Sequence, residues 1–462
     1  MSSKDFASLP LSEDLIKNVA SLGYEEMTEI QELSLPAILD GKDLIAQAKT
    51  GTGKTAAFGL GVLSKLVLDD YRIQVLILCP TRELCEQVSK AIRDLARMMP
   101  NIKLLSLGGG MPFRPQMKSV AHGAHIVVGT PGRILKHLNK SSLSLDHVRT
   151  LVLDEADRML DMGFQDEIDA IIDQTNKQRQ TLLFSATYPK KIATIAKRVM
   201  KDPLRIELDS QVHEESTIEQ HFYKVTSESQ RLLGLQLLLD KFKSESAVVF
   251  CNTKQEAKDI CKDLSKVGFS TLALHGDLEQ KDRQENLVRF ANKSVAVLVA
   301  TDVAARGLDI DSIDLVINYH ISRDFEVHVH RIGRTGRAGK NGIACSLHSQ
   351  KEAHKISLLQ EFLGQEIESE TLPDRSVLKE LKYRPQMSCL KILFGKKQKL
   401  RAGNLLGALT GEKGLKGDQV GKMHIFDYYS YVAIERQSVN HALKILRDDK
   451  WKGRAYKCML IR

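Results

Sequence analysis

Short apolar runs alternate with longer helical stretches through the first two thirds of the chain, and this rhythm limits the possible folds more than any motif. The first block holds Val75–Leu78, Ile126–Val128, Thr150–Leu153 and Thr181–Phe184, preceded by Leu44–Ala46. The second holds Ala247–Phe250, Thr271–Leu274, Val297–Val299 and Leu315–Ile317. Runs this short, apolar throughout, are strands buried on both faces, and strands alternating with helices build parallel sheets from βαβ units. A chain of 462 residues also exceeds what one hydrophobic core holds. The rhythm therefore predicts an α/β protein with two parallel-sheet domains, at 1–207 and 218–370. The polar, aperiodic stretch 208–217 is expected to link them.

After a second expected linker at 371–386 the rhythm changes. Strand-like segments at 390–394, 420–426, 431–434 and 456–461 and helix-like segments at 403–409 and 439–446 follow the order βαββαβ. That order predicts a small α+β domain over 387–462, of the ferredoxin-like kind that includes RNA-recognition modules. This tail carries 16 Lys and Arg against 6 Asp and Glu. Its charge is thus +10 in a chain of +9, so the first 386 residues carry −1. Such asymmetry points to a polyanion-binding module.

Composition excludes several classes. No run approaches the roughly 20 apolar residues of a membrane span, and Met1–Phe6 lacks the apolar core of a signal peptide. Seven cysteines without a C-x-x-C pair fit a reducing cytosol better than a disulfide framework or a zinc site. A cytoplasmic location, no membrane association and a monomeric state are expected.

The chemistry begins at Ala48-Lys49-Thr50-Gly51-Thr52-Gly53-Lys54-Thr55, directly after the first apolar run. Gly51 and Gly53 let backbone N–H groups wrap phosphate oxygens at a helix N-terminus. Lys54 would reach the β- and γ-phosphates, and the Thr55 hydroxyl would hold Mg²⁺. About a hundred residues on, Asp154-Glu155-Ala156-Asp157 ends the strand at Thr150–Leu153. Asp154 is expected to hold Mg²⁺, and Glu155 to orient or deprotonate the attacking water. The two motifs together predict an ATP–Mg²⁺ site.

These motifs resemble those of the DEAD-box RNA helicases, a family with two RecA-like domains in tandem. The resemblance implies that Gln31, in Gly23–Gln31, pairs with the adenine edge and that Phe6 stacks on the base. It marks Ser185 and Thr187, with His330, as residues coupling hydrolysis to strand separation. In Asp302–Asp309 and His330–Arg337, it places Asp309 near the ribose and Arg334 and Arg337 on the γ-phosphate as arginine fingers. Cations delivered by a second domain would gate hydrolysis by closure.

The same resemblance assigns one side of an RNA groove to Pro80, Thr81, Arg82, Gly109, Gly110, Thr130, Pro131, Gly132 and Arg133. The other side falls to Gln280–Arg283, with Arg283 in contact, and Thr301. Hydroxyls, amides and arginines suit phosphates and 2′-OH groups rather than base edges, so the core is expected to bind RNA without sequence preference. Selectivity would come from the tail, where Tyr429 and Tyr431 stack bases or basic loops (Lys396, Lys397, Arg401, Lys452) hold the RNA. Arg158–Phe164, His275–Gln280 and Leu405–Gly411 resemble one bacterial subgroup of the family. That resemblance implies a hairpin of large-subunit ribosomal RNA, met in pre-ribosomal particles, and a role in assembling that subunit. A DEAD-box RNA chaperone with another RNA target, a DNA helicase of the same superfamily and a binding protein with a dead ATPase core are the alternatives.

Overall fold

The computed structural model describes residues 4–48, 51–208, 218–305, 313–336, 341–379, 382–411, 414–448, 450–451 and 454–461. They form two compact units, the second of which contains both the second parallel sheet and the small C-terminal sheet. The strands of the first unit are β1 (Leu44–Gln47), β2 (Val75–Leu78), β3 (Leu104–Leu107), β4 (Ile126–Gly129), β5 (Thr150–Asp154), β6 (Gln180–Ser185) and β7 (Leu204–Glu207). They make a seven-stranded sheet in the order β3-β4-β2-β5-β6-β1-β7. All its pairings are parallel. β2, β4, β5 and β6 are buried along their whole length, as their unbroken apolar runs require.

The second unit repeats the plan. Its strands are β8 (Ile218–Val225), β9 (Ala247–Cys251), β10 (Thr271–Leu274), β11 (Val297–Thr301), β12 (Leu315–Asn318), β13 (Gly342–Ser349) and β14 (Ser369–Glu370). Their order, β10-β11-β9-β12-β13-β8-β14, again gives a parallel sheet. In both sheets the helices lie between strands in sequence, and the loops at the strands' carboxyl ends are where ligands of such folds bind.

The tail domain has β15 (Met387–Ile392), β16 (Val420–Ile425), β17 (Ser430–Glu435), a two-stranded ribbon β18 (Lys450–Trp451) with β19 (Arg454–Ala455), and β20 (Cys458–Ile461). The antiparallel order β16-β17-β15-β20, with helices Ala402–Leu409 and Val439–Asp448, is the expected ferredoxin-like arrangement. Leu390, Ile392, Val432 and Ile434 pack under the two helices with Leu405, Leu409 and Leu446.

Within the stretch expected as a linker at 371–386, three described residues instead pack onto the second sheet's unit. Leu372 and Tyr383 lie against that core, and the Lys382 ammonium donates to Asp240 Oδ2 at 2.8 Å. The physical reason is a buried carboxylate. Asp240 is almost wholly out of solvent, and a buried charge needs a partner. Most of the first expected linker, 209–217, lies outside the described residues.

Candidate active site and nucleic-acid interface

The phosphate loop follows β1 and leads into the helix Lys54–Ser64. Gly51 and Gly53 have φ of 92° and 97°, left-handed conformations that glycine adopts without strain. At Gly53 a side chain is also excluded by space, since a Cβ there would lie 2.5 Å from Gln31 Nε2 and 2.9 Å from Thr28 Oγ1. Thr28 Oγ1 donates to the Thr52 carbonyl at 2.8 Å, and Gln31 Nε2 donates to the Gly53 carbonyl at 3.2 Å. Thr28–Gln31 therefore closes over the loop. Gln31 Oε1 accepts from the Thr28 amide, so both functions of the amide expected on adenine are engaged within the protein.

Phe6 departs from the expectation. Its ring is 3% exposed, packed in the first unit's core with Leu11, Leu15 and Ile30. It has no open face for a base, and its role in this structure is that of a core anchor. Lys49 and Thr50 lie outside the described residues.

Lys54 and Asp154 are buried on the same loop-bearing edge. Lys54 Nζ donates to the Ala48 carbonyl at 2.6 Å, and the Ala48 amide donates to the Ser185 carbonyl at 2.9 Å. Burial holds the Lys54 ammonium below its ordinary range, against the pull of Asp154, Glu155 and Asp157. Burial, then the neighbouring Glu155, pushes the Asp154 carboxyl up to about 7. Glu155 has φ of 51°, strained for a non-glycine residue and typical of functional turns. Its Oε2 accepts from Arg158 Nη1 at 2.8 Å in a pair almost closed to solvent. Arg158 was not foreseen as a site residue, although its spacing of three from Glu155 on a helix is the available signal.

Asp157 links this edge to the end of β6. Its Oδ2 accepts from the Ala186 amide (3.2 Å), the Thr187 amide (3.0 Å) and the Thr187 hydroxyl (3.1 Å). Its own amide donates to Ser185 Oγ at 3.4 Å. Ser185 and Thr187 are thus tied to the acidic tetrad by direct hydrogen bonds.

Pro80, Thr81 and Arg82 follow β2, where Thr81 Oγ1 caps the helix Arg82–Leu95 by accepting from the Leu84 amide. Gly108 lies against the stem of Arg82, where a Cβ would come within 2.5 Å of Arg82 Cγ. Gly109 and Gly110 follow it. Thr130, Pro131, Gly132 and Arg133 open the helix after β4. Arg133 donates to Gln116 Oε1 (3.0 Å) and to the Met111 carbonyl (2.8 Å), while Gln116 Nε2 donates to the Gly108 carbonyl (3.3 Å). Burial and the charge of Arg82 lower the Arg133 pKa. Arg82 Nη1 is buried with no hydrogen-bond partner among the described residues. A guanidinium with an unspent donor beside a second arginine suits an anionic phosphate chain. Gln116, which orients one of them, was not foreseen.

In the second unit, Arg283 donates to the Ala304 carbonyl at 2.9 Å and Thr301 is buried at the end of β11. Arg331 forms a two-pronged pair with Asp302 at 2.6 and 2.8 Å, joining that strand end to the helix Phe325–Ile332 that carries His330. Arg334 is buried just beyond this helix. Asp309 and Arg337 lie outside the described residues.

The tail corrects a second expectation. Tyr431 is fully buried, and its hydroxyl donates to Glu285 Oε2 at 2.9 Å. Lys391 Nζ donates to the same oxygen at 2.6 Å, and the Tyr429 hydroxyl donates to Gln284 Oε1 at 2.7 Å. Val288, Cys389 and Tyr431 form the apolar centre of this contact, with Phe426, Tyr429 and Ile461 around it. The sheet face that would stack bases is therefore docked on the helix Gln280–Ala291. With the domain's own two helices on one face and the helix Gln280–Ala291 on the other, Tyr429 and Tyr431 are docking residues. Lys396, Lys397 and Arg401 are exposed, as expected, and Lys452 lies outside the described residues.

Two tandem parallel sheets, with a phosphate loop and an acid-ended strand on the first, define a P-loop ATPase of the helicase class. Residues 28–195 match the DEAD/DEAH box helicase model, 228–339 the helicase conserved C-terminal domain and 389–459 the DbpA RNA binding domain. The chain is 50% identical over 447 residues to the ATP-dependent RNA helicase DbpA of Escherichia coli (strain K12), covering 97% of each chain. It is 36% identical to the DbpA of Bacillus subtilis (strain 168), over 98% of each chain. Among solved structures, S. cerevisiae Dbp5 bound to RNA and ADP BeF3 is similar at a TM-score of 0.73 and 30% identity, over 81% of this chain and 98% of that one. The chain belongs to the DEAD-box ATP-dependent RNA helicases, and its C-terminal domain is of the DbpA RNA-binding type.

Proposed function

We propose that RNA-stimulated ATP hydrolysis by this chain drives local unwinding of short RNA duplexes. The C-terminal domain directs that activity to a hairpin of large-subunit ribosomal RNA during ribosome assembly in the cytoplasm. The likeness to DbpA over the whole length supports the choice of target.

The donor set fits a nucleotide with Mg²⁺. Asp154 offers a buried carboxyl that lacks enough positive charge around it, and Thr55 offers a hydroxyl in the first turn after the phosphate loop. Those two residues would hold the ion, and when bound it would neutralise charge between the β- and γ-phosphates. Lys54 neutralises phosphate oxygens from within the loop. Glu155, held by Arg158, orients the attacking water and accepts its proton. Asp157 passes the state of this edge to Ser185 and Thr187. Arg334 acts on the γ-phosphate by its place in the family motif.

One observation carries the RNA reading: Arg82 and Arg133 adjoin each other beside Gly108, and Arg82 Nη1 has no hydrogen-bond partner among the described residues. For the tail, the docked sheet leaves RNA to the basic edge at Lys396, Lys397 and Arg401. ATP turnover over a panel of ribosomal RNA fragments tests this, comparing the full chain with a variant carrying Lys396→Glu, Lys397→Glu and Arg401→Glu. The variant should lose its preference among fragments. An unchanged preference would refute targeting through this edge.

A further inference from the structure

We infer that Tyr428, with Lys396 and Lys397, forms a platform on which the C-terminal domain stacks one unpaired RNA base. This inference rests on the RNA-binding reading of that domain. The turn between β16 and β17 is closed by the Phe426 amide donating to the Tyr429 carbonyl at 2.9 Å, which leaves Asp427 and Tyr428 at its tip. Phe426 and Tyr429 turn toward Tyr431, with ring centroids 6.0 and 5.6 Å from it, and join the docked face. Tyr428 does the opposite. It is 64% exposed, more than any other large hydrophobic side chain among the described residues.

The two lysines are brought to this tip by a constructed contact. The Lys396 and Lys397 amides donate to the Phe426 and Asp427 carbonyls at 2.8 and 2.9 Å. Gly395 permits the approach, because a Cβ there would stand 2.2 Å from the Phe426 oxygen and 2.6 Å from that of Asp427. Gln398 Oε1 then accepts from the Gly395 amide at 2.9 Å and fixes the turn. Backbone contacts between segments about thirty positions apart thus bring two exposed lysines to the turn that carries the exposed Tyr428.

A tyrosine so exposed adds little to folding, since burial is what stabilises an aromatic side chain. An aromatic ring beside cations instead matches the chemistry of unpaired nucleotides, whose bases stack and whose phosphates need positive charge. Asp427, also exposed, disfavours a phosphate at the tip and leaves that contact to the lysines. A carboxylate there can accept from the amino edge of a base.

The test uses the full chain and labelled hairpin fragments of large-subunit ribosomal RNA, with binding measured by fluorescence anisotropy. Tyr428→Ala should weaken the best-bound fragment about tenfold, within the range for loss of one base–aromatic stack. Tyr428→Phe should restore it to within about twofold, because the ring carries the contact. Replacing the unpaired loop bases by abasic sites should weaken wild type similarly and leave Tyr428→Ala with little more to lose. Equal weakness of the Phe and Ala variants would overturn stacking. If Tyr428→Ala binds like wild type while the triple Glu variant fails, the platform is wrong and the basic-edge reading stands. If neither variant changes binding, both fall.

Discussion

Replacing Glu285 by alanine should release the C-terminal domain from the helix Gln280–Ala291. Glu285 accepts two hydrogen bonds, from Lys391 Nζ at 2.6 Å and the Tyr431 hydroxyl at 2.9 Å. The Lys391 side chain is 11% exposed and that of Glu285 23%. Removing the carboxylate leaves an ammonium nearly closed to solvent and a buried hydroxyl without their acceptor. Breaking a buried pair from one side weakens a structure by about 3–5 kcal/mol. The partial exposure of Glu285 discounts this to about 2–3 kcal/mol, roughly a thirty- to hundred-and-fiftyfold shift toward the undocked form. Glu285→Gln should fall between, since it keeps an acceptor but loses the charge. Burial alone would raise the Glu285 pKa, but the hydrogen bonds from Lys391 and Tyr431 outweigh it and hold the carboxyl below its ordinary 4.5. Docking is therefore complete above that ordinary value and weakens as pH falls through the lowered one. Hydrogen exchange gives the assay. In Glu285→Ala, amides of β15, β17 and Val288–Asn292 should exchange faster while those of β9 and β12 do not. Unchanged protection across the contact would refute the assignment of this pair as what holds the sheet.

Glu155→Gln should bind ATP and RNA but lower turnover at least about a hundredfold, the usual effect of losing a general base; single-turnover kinetics with wild-type rates would remove Glu155 from that role. Asp157→Ala orphans the donors at Ala186 and Thr187, so stability should fall by about 2–3 kcal/mol and duplex separation should drop more than ATP turnover. Proportional losses of separation and turnover would contradict coupling through Asp157. His328 is fully buried and burial, then Arg331, pushes its pKa down to about 4 from 6.5. Above pH 6.5 neither state is charged; between 6.5 and 4 the unfolded chain binds a proton that the folded one refuses, and stability falls by on the order of 3 kcal/mol. Urea midpoints over that range should lose this share of their slope in His328→Phe, and an unaltered slope would refute it.

Much of the architecture was legible because buried parallel strands are short, apolar and uninterrupted. Val75–Leu78 and Thr150–Leu153 declared themselves that way. β7 and β8 did not: β7 is exposed at three of four positions, and β8 carries Glu219, Gln220 and His221 within its length. β13 was hidden by Ser346 and His348, polar residues that the sheet buries with hydrogen bonds to Asn318 and Ser369. The phosphate loop and acidic tetrad were readable because their chemistry lies within contiguous residues. Gln116 and Arg158 act through partners that only folding brings close or orients. Tyr429 and Tyr431 show the limit most clearly. An aromatic strand motif reads the same whether its sheet faces RNA or another domain, and Glu285, more than a hundred residues upstream, decides between them.

ATP turnover of the full chain with large-subunit ribosomal RNA, and with DNA of the same sequence, tests the central claim most directly. Strong stimulation by RNA and little by DNA is the predicted result. Equal stimulation by DNA, or none by RNA, would contradict an ATPase whose loop edge is built for RNA.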